Sequence, residues 1–263
     1  MVADVWEGED YLPRVFDGWV ADPGAWFQGA ELEGELVGLQ RLRPLAPRLV
    51  WYEGLRVASR HRRRGIARAM LGAAVRQAAG AGFGEMRLAT GNPGALALFL
   101  GSGFTTRVSA GFWEASRLEG GEPARIPPAG EAAALAERVA LDPALQACGG
   151  LAVDFGGAHD LGPQDLERLL AEGSVRVAAG GRALAVVRPS SAGTRMRVTF
   201  LSGRGGGARD LLTALRYEAD ADDLEGVTVV APPGHPAAGD LAAVGYDLRP
   251  DWTVHICSKV IQS

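Results

Sequence analysis

The sequence predicts an α/β protein of two tandem domains, each a mixed, twisted sheet flanked by helices. Three observations predict it: an apolar strand that ends in a basic, glycine-punctuated turn and enters a helix, a Pro/Gly-rich stretch near the middle of the 263 residues, and a second half that echoes the first. A chain of this length can bury two modest cores, and its hydrophobic content of 47% agrees.

Along the chain, Glu33 to Gly38 reads as a hairpin turning at Gly34. Trp51 to Val57 is an apolar run of strand character. Arg62-Arg63-Arg64-Gly65-Ile66-Ala67 follows it and opens a helix-patterned segment reaching about Gln77. The first N–H groups of a helix have no intrahelical partner and sit at its positive end, so this turn suits an anion. Gly65 and Ala67 leave room for a pyrophosphate to approach the main chain, while Arg62, Arg63 and Arg64 add charge. Downstream, Glu85 to Thr90 reads as a second buried strand. Asn92-Pro93-Gly94-Ala95 then starts an apolar helix through Leu100, before Gly103-Phe104.

Residues 118–130 hold three prolines and three glycines without apolar periodicity. They set the expected domains at 1–118 and 131–263, with a linker over 119–130. The second half repeats landmarks of the first: Gly34 with Gly181, Gly65 with Gly206, and Gly103-Phe104 with Gly245-Tyr246, at offsets of 147, 141 and 142 residues. Its turn reads Arg204-Gly205-Gly206-Gly207-Ala208, with Gly203 standing where Arg62 does. Its strand Val227 to Val230 runs into Pro232, Pro233 and Pro236, which obstruct a helix start. This half reads as a degenerate copy, left for packing, dimerisation or one wall of a substrate cleft. Gly203-x-Gly205-x-x-Ala208 matches a dinucleotide fingerprint in outline, but Asp220, Asp222, Asp223 and Glu225 precede the next strand instead of ending it.

Composition excludes several classes. A net charge of −4 and a single local cluster of Arg60, Arg62, Arg63, Arg64 and Arg68 without interleaved aromatics argue against nucleic acid. Cys148 and Cys257 are far apart, and His61, His159, His235 and His255 are dispersed, so neither a disulfide scaffold nor a metal site is expected. Met1 to Asp10 is acidic where a signal peptide would be basic, and no run approaches the ~18 apolar residues of a membrane span. A cytoplasmic protein without a membrane partner is the expectation.

The order strand, R-x-x-G-x-A, helix, strand, N-x-x-A, helix, G-F over residues 8 to 117 resembles the Gcn5-related N-acetyltransferase (GNAT) family. The resemblance implies two tandem GNAT-like domains, acetyl-CoA as co-substrate and transfer of its acetyl group to an amine. It also implies that the strand Trp51 to Val57 splays from its neighbour. The freed main chain of Leu55, Arg56 and Val57 would then hold the pantetheine arm and the thioester oxygen. Arg62 to Ala67 would take the pyrophosphate. Asn92 matches the family's cofactor-contacting asparagine, although a helix N-cap ahead of Pro93 reads equally well there. Phe99 stands at the cofactor-side position where family members often carry a tyrosine that protonates the leaving sulfur.

Glu53 is the candidate general base. Alternation places it on one face with Trp51, Leu55 and Val57, where burial raises a carboxyl's pKa, while pairing with an arginine or binding the amine is the other reading. Asp10-Tyr11-Leu12-Pro13, Trp19, Asp22-Pro23 and Glu53 to Val57 look similar to the histidine N-acetyltransferase branch, which implies an amino acid or similar small amine as acceptor. With no ionisable group at Phe99, a non-catalytic acyl-CoA-binding protein is the alternative.

Overall fold

A computed structural model describes residues 10–154, 156–189 and 194–262. Most of the acidic N-terminal stretch, residues 1–9, therefore lies outside the described residues. The chain forms two compact units, residues 1–106 with 257–263, and residues 107–256.

The first unit opens with helix α1 (Leu12–Ala21), followed by strands β1 (Trp26–Leu32), β2 (Glu35–Ala46) and β3 (Leu49–Val57) as an antiparallel meander. The hairpin predicted at Gly34 joins β1 to β2, with Glu33 and Gly34 both at positive φ as a two-residue turn of this kind requires. Helix α2 (Ile66–Gly80) carries the chain over to β4 (Glu85–Thr90), parallel to β3, and α3 (Pro93–Leu100) follows. Met70, Leu71, Ala74 and Ala78 recur at helical spacing and are the buried residues of α2. Leu71, Ala74 and Ala78 join Leu42, Val50, Tyr52, Met86, Leu88 and Phe99 in one core.

Strand β5 (Thr105–Ser116) leads into the second unit, with α4 (Ala132–Leu141), α5 (Pro143–Ala147), the two-stranded sheet of β6 (Leu151–Asp154) and β7 (Gly157–Asp160), and α6 (Pro163–Ala171). Next come β8 (Val175–Val177), β9 (Leu184–Pro189), β10 (Arg195–Ser202), α7 (Gly206–Ala221), β11 (Gly226–Ala231), α8 (Ala238–Ala243) and β12 (Asp247–Val260). The meander β8-β9-β10, crossover α7 and parallel strand β11 repeat the plan of β1-β2-β3, α2 and β4. Gly65 and Gly205 are the N-caps of α2 and α7, so the duplication aligns one residue off the match of Gly65 with Gly206.

The units divide the chain elsewhere than the predicted boundaries. Beside β11 lies β5, the strand that follows the first copy's last helix, and Gly226 has no side chain because a Cβ there would meet the Ala115 carbonyl at 2.1 Å. The end of β12 lies beside β4 in the first unit, where Cys257 and Ile261 enter the core, Ile261 N–H donates to Gly84 (2.9 Å) and Lys259 Nζ to the Ser102 carbonyl (2.7 Å). The predicted linker is not a free tether. Leu118 N–H donates to the Arg216 carbonyl (3.2 Å), Ala124 is buried, and Gly121 packs so closely on Tyr217 that a Cβ would clash. Turn-rich composition marks an irregular path, not an unpacked one.

Both cysteines are free and buried, as expected of core residues. Among the described residues no helix is long and apolar enough to cross a membrane, and no group of His, Cys, Asp or Glu could hold a metal ion.

Two predictions follow from this packing. Ile261→Ala should lower stability by roughly 2–4 kcal/mol, as for other large-to-small core substitutions. An unchanged urea midpoint would show that the tail is dispensable to the first core. The second concerns His235, whose Nδ1 accepts from Ala237 N–H (3.2 Å) and whose Nε2 donates to the Leu201 carbonyl (3.0 Å), an arrangement that needs the neutral ring. Burial lowers its pKa from 6.5, and the Leu201 carbonyl and Asp142 oppose this less strongly. The unfolded chain therefore binds this proton at higher pH than the folded one. The stability is intact above about pH 6.5 and is lost as pH falls from there through the folded value. Melting temperatures between pH 7.5 and 5.5 should fall less steeply for His235→Asn than for the parent; equal slopes would disprove the assignment.

Candidate active site

The site is organised by the way β3 leaves its neighbours. Leu49, Val50 and Trp51 pair with Glu85, Met86 and Arg87 of β4, and from Tyr52 onward β3 has no β4 partner. This is the splay that the family resemblance implied. On the β2 side, Arg41 faces Glu53 and Leu39 faces Arg56, so Gln40 stands against two residues, Gly54 and Leu55. Such a bulge bends a strand and re-aims its side chains. Gly54 takes φ +73°, and a Cβ there would lie 2.5 Å from the Trp19 ring. The bulge also corrects the predicted alternation. Leu55 packs with Val50 and Tyr52 on the α2 side, so it does not share the face of Trp51 and Glu53.

Beyond Val57, a short 3-10 turn (Ser59–His61) leads to Arg62, to Arg63 at φ +62°, and to Gly65 at φ +82°. No side chain caps α2, and a Cβ on Gly65 would meet nothing within 4 Å. The approach to the first-turn N–H groups is therefore open. Arg62, Arg63 and Arg64 are exposed, with Ile66 and Ala67 half-buried behind them. Arg62 Nε donates to the Val57 carbonyl (3.1 Å), Arg64 Nη1 lies 3.1 Å from His61 Nδ1, and Arg60 pairs with Glu35. These contacts brace the turn while its charge stays at the surface.

On the other side of the strand stands a cluster that sequence reasoning saw in pieces. Glu53 is half-buried and stands among charges: Arg41 Nη1 lies 2.5 Å and Arg43 Nε 3.5 Å from the same oxygen, Oε1. Arg41 also pairs with Asp22 and lies 4.9 Å from the centroid of the Trp19 ring. Arg56, expected to offer its main chain, commits its side chain to Asp10 through Nε (2.8 Å) and Nη2 (3.0 Å) and lies over Tyr11. Burial would raise the Asp10 carboxyl, but the hydrogen bonds from Arg56 and from Leu12 N–H outweigh it and hold it below the usual carboxylate range. Arg41 was missed. Its signal was Arg41-Leu42-Arg43 within an otherwise apolar strand, two arginines on one face as Glu53 is on the next.

Asn92 is the N-cap of α3, its Oδ1 accepting from Ala95 N–H (2.9 Å), which leaves the amide nitrogen to donate. Phe99 is a core residue, edge-on to Tyr52 and packed on Phe104. Its ring is buried, and the structure gives it no role beyond packing. The Tyr52 hydroxyl donates to Gln40 (2.9 Å), which donates to Gln28 and the Met70 carbonyl. This chain satisfies the polar groups under α2.

Residues 3–104 match the Acetyltransferase (GNAT) family model. Two solved structures show the fold over nearly the whole chain. One is a putative acetyltransferase from Thermoplasma acidophilum, with 14% identity, TM-score 0.60, and 96% of this chain and 84% of that one covered. The other is a tandem GNAT protein from the clavulanic acid biosynthesis pathway, with 17% identity, TM-score 0.52, and coverage of 92% and 85%. The IAA acetyltransferase from Bacillus cereus ATCC 14579 is 25% identical over 37% of this chain, with TM-score 0.35, and the match spans 65% of its own length. No curated protein matches.

The two N-caps provide a paired test, since Gly65 (φ +82°, ψ −3°) and Gly205 (φ +66°, ψ −146°) are both at positive φ, and a side chain strains both, Gly205 the more. Gly65→Glu should weaken CoA binding by about tenfold or more, because the carboxylate would stand in the phosphate's place, while Gly205→Glu should leave affinity nearly unchanged. Calorimetric titration showing equal losses in two folded variants would overturn the assignment of the cofactor to the first unit.

Proposed function

We propose that the first unit transfers an acetyl group from acetyl-CoA to the amine of a small molecule, an amino acid or similar, by direct attack. The observation that carries this is the open N-terminus of α2 beside a strand freed from β4 after Trp51. A pyrophosphate fits the first, and a long amide-bearing arm fits the second. Acetyl-CoA supplies the acetyl group as a thioester. The N–H groups of Ile66 and Ala67, with Arg62, Arg63 and Arg64, hold the pyrophosphate, Asn92 contributes its amide nitrogen, and the main chain of Leu55, Arg56 and Val57 aligns the acyl arm.

Glu53 is the proposed general base. Both of its arginine contacts fall on Oε1, which fixes the side chain and leaves Oε2 to receive the ammonium and its proton. The segments that look similar to the histidine N-acetyltransferase branch support an amino-acid-like acceptor. Asp10 meets Arg56, Trp19 packs on Gly54, and Asp22 and Glu53 share Arg41, so these segments converge on one side of the bulge. The second reading, an acyl-CoA-binding protein without turnover, is favoured by one observation, the burial of Phe99 in the core with no hydroxyl at that position.

Release of free CoA thiol from acetyl-CoA across a panel of amino acids, polyamines and aminoglycosides separates the two. An amine-dependent signal is expected, and its absence on every amine favours the binding protein. On an active acceptor, Glu53→Gln should lower turnover roughly 10²-fold with acetyl-CoA affinity kept. A raised KM for the amine with turnover kept would make Glu53 a positioning residue. Retention of both parameters would leave it a structural ion-pair partner.

A further inference from the structure

The second unit has its own strand, glycine turn and helix, and the turn is already filled. Gly205 N–H, at the N-cap of α7, donates to Asp240 Oδ2 (2.7 Å), and Asp240 Oδ1 lies 3.7 Å from Arg209 Nε in the first turn of that helix. One step earlier, Gly203 N–H and Ser202 Oγ both donate to Asp142 Oδ2 at 2.8 Å. Asp142 Oδ1 caps α5 through Ala144 N–H (2.8 Å). Two carboxylates of the chain itself thus occupy the N–H groups leading into α7, and the side chain of Asp240 is only 14% exposed. Among the described residues no carboxylate caps α2, and a Cβ on Gly65 would meet nothing within 4 Å. Gly203 is also closely walled, a Cβ there meeting the Arg182 carbonyl at 2.7 Å.

We infer that Asp240, with Asp142 beside it, is a built-in anion that occupies the phosphate-binding turn of the second unit and closes it to phosphorylated ligands. A helix N-terminus and a nearby arginine attract negative charge, and whichever anion is tethered there excludes the others. Asp240 is held by its position on α8, so it competes at an effective concentration no free phosphate reaches. A second phosphate would meet a like charge within a few ångströms. Fewer arginines in the turn and the lack of an Asn-x-x-Ala segment explain a weak site; the carboxylates explain a shut one. The second unit is on this account a scaffold whose former ligand has been replaced by its own side chains.

Titration of the full-length protein with inorganic pyrophosphate, followed by the amide resonances of Gly205 to Ala208, tests this directly. In the parent protein these amides should not move. In Asp240→Ala they should shift saturably, with an apparent affinity at least about tenfold tighter than any parent response. Should that variant not fold, Asp240→Asn keeps size and an acceptor oxygen while removing the charge, and the same amides should respond. Movement of Gly205 to Ala208 in the parent at concentrations that move the variant, or silence of these amides in a folded variant, would overturn the inference. Ile66 to Arg68 report the first unit in the same spectra, so a failure of the acetyl-CoA reading would appear there and not at Gly205.

Discussion

The parting of β3 from β4 after Trp51 is the constraint on which the rest of the first unit depends. A strand inside a sheet normally spends its N–H and C=O groups on both neighbours, and buried groups left unpaired are costly. Three residues of β3 pair with β4, and the remainder hold their place through β2, the bulge at Gly54 and the packing of Tyr52 and Leu55. The cost of the open edge is tolerable if a ligand bearing amide groups completes it. Gly54 belongs to the same device, since only a residue without a Cβ lets the Trp19 ring close on the bulge.

The charges behind the bulge obey a different logic. Arg41 is almost wholly buried between Glu53 and Asp22, and Arg56 is locked to a buried Asp10. Ion pairs of this kind add little net stability over apolar packing, yet removing one partner strands a buried charge at a cost of about 3–5 kcal/mol. Their value lies in fixing geometry. Arg41 ties the end of α1 to the middle of β3, and Arg56 ties the start of α1 to the end of β3, so one short helix is held at both ends against the strand. The carboxylate of Glu53 is oriented by the same bonds that neutralise it.

Duplication explains much of the remainder. Each copy repeats a meander, a crossover helix and a parallel strand, and then sends its last strand elsewhere: β5 joins β11, and the end of β12 joins β4. Residues after 256 supply Cys257 and Ile261 to the first core and Lys259 to the Ser102 carbonyl, so the unit bearing the candidate site is completed only once these residues have been made. Retaining the second copy needs no second catalytic site once its strands are part of the framework.

Sequence by itself determined the α/β class, the duplicated plan, the basic turn with its glycine cap, the Gly34 hairpin and the helix beginning after Asn92. Each is written locally, in the spacing of apolar residues or in a backbone angle that glycine or asparagine takes readily. Tertiary structure alone decided the partners of Glu53, because the ion pairs around it join residues 10 to 46 positions apart. It decided the bulge at Gly54, which turns Leu55 to the opposite face, and the burial of Phe99 against Tyr52. It also decided that residues 257–263 belong to the first unit. A strand's composition states that it will pair; the choice of neighbour depends on which edges are left open once the other strands have found their places.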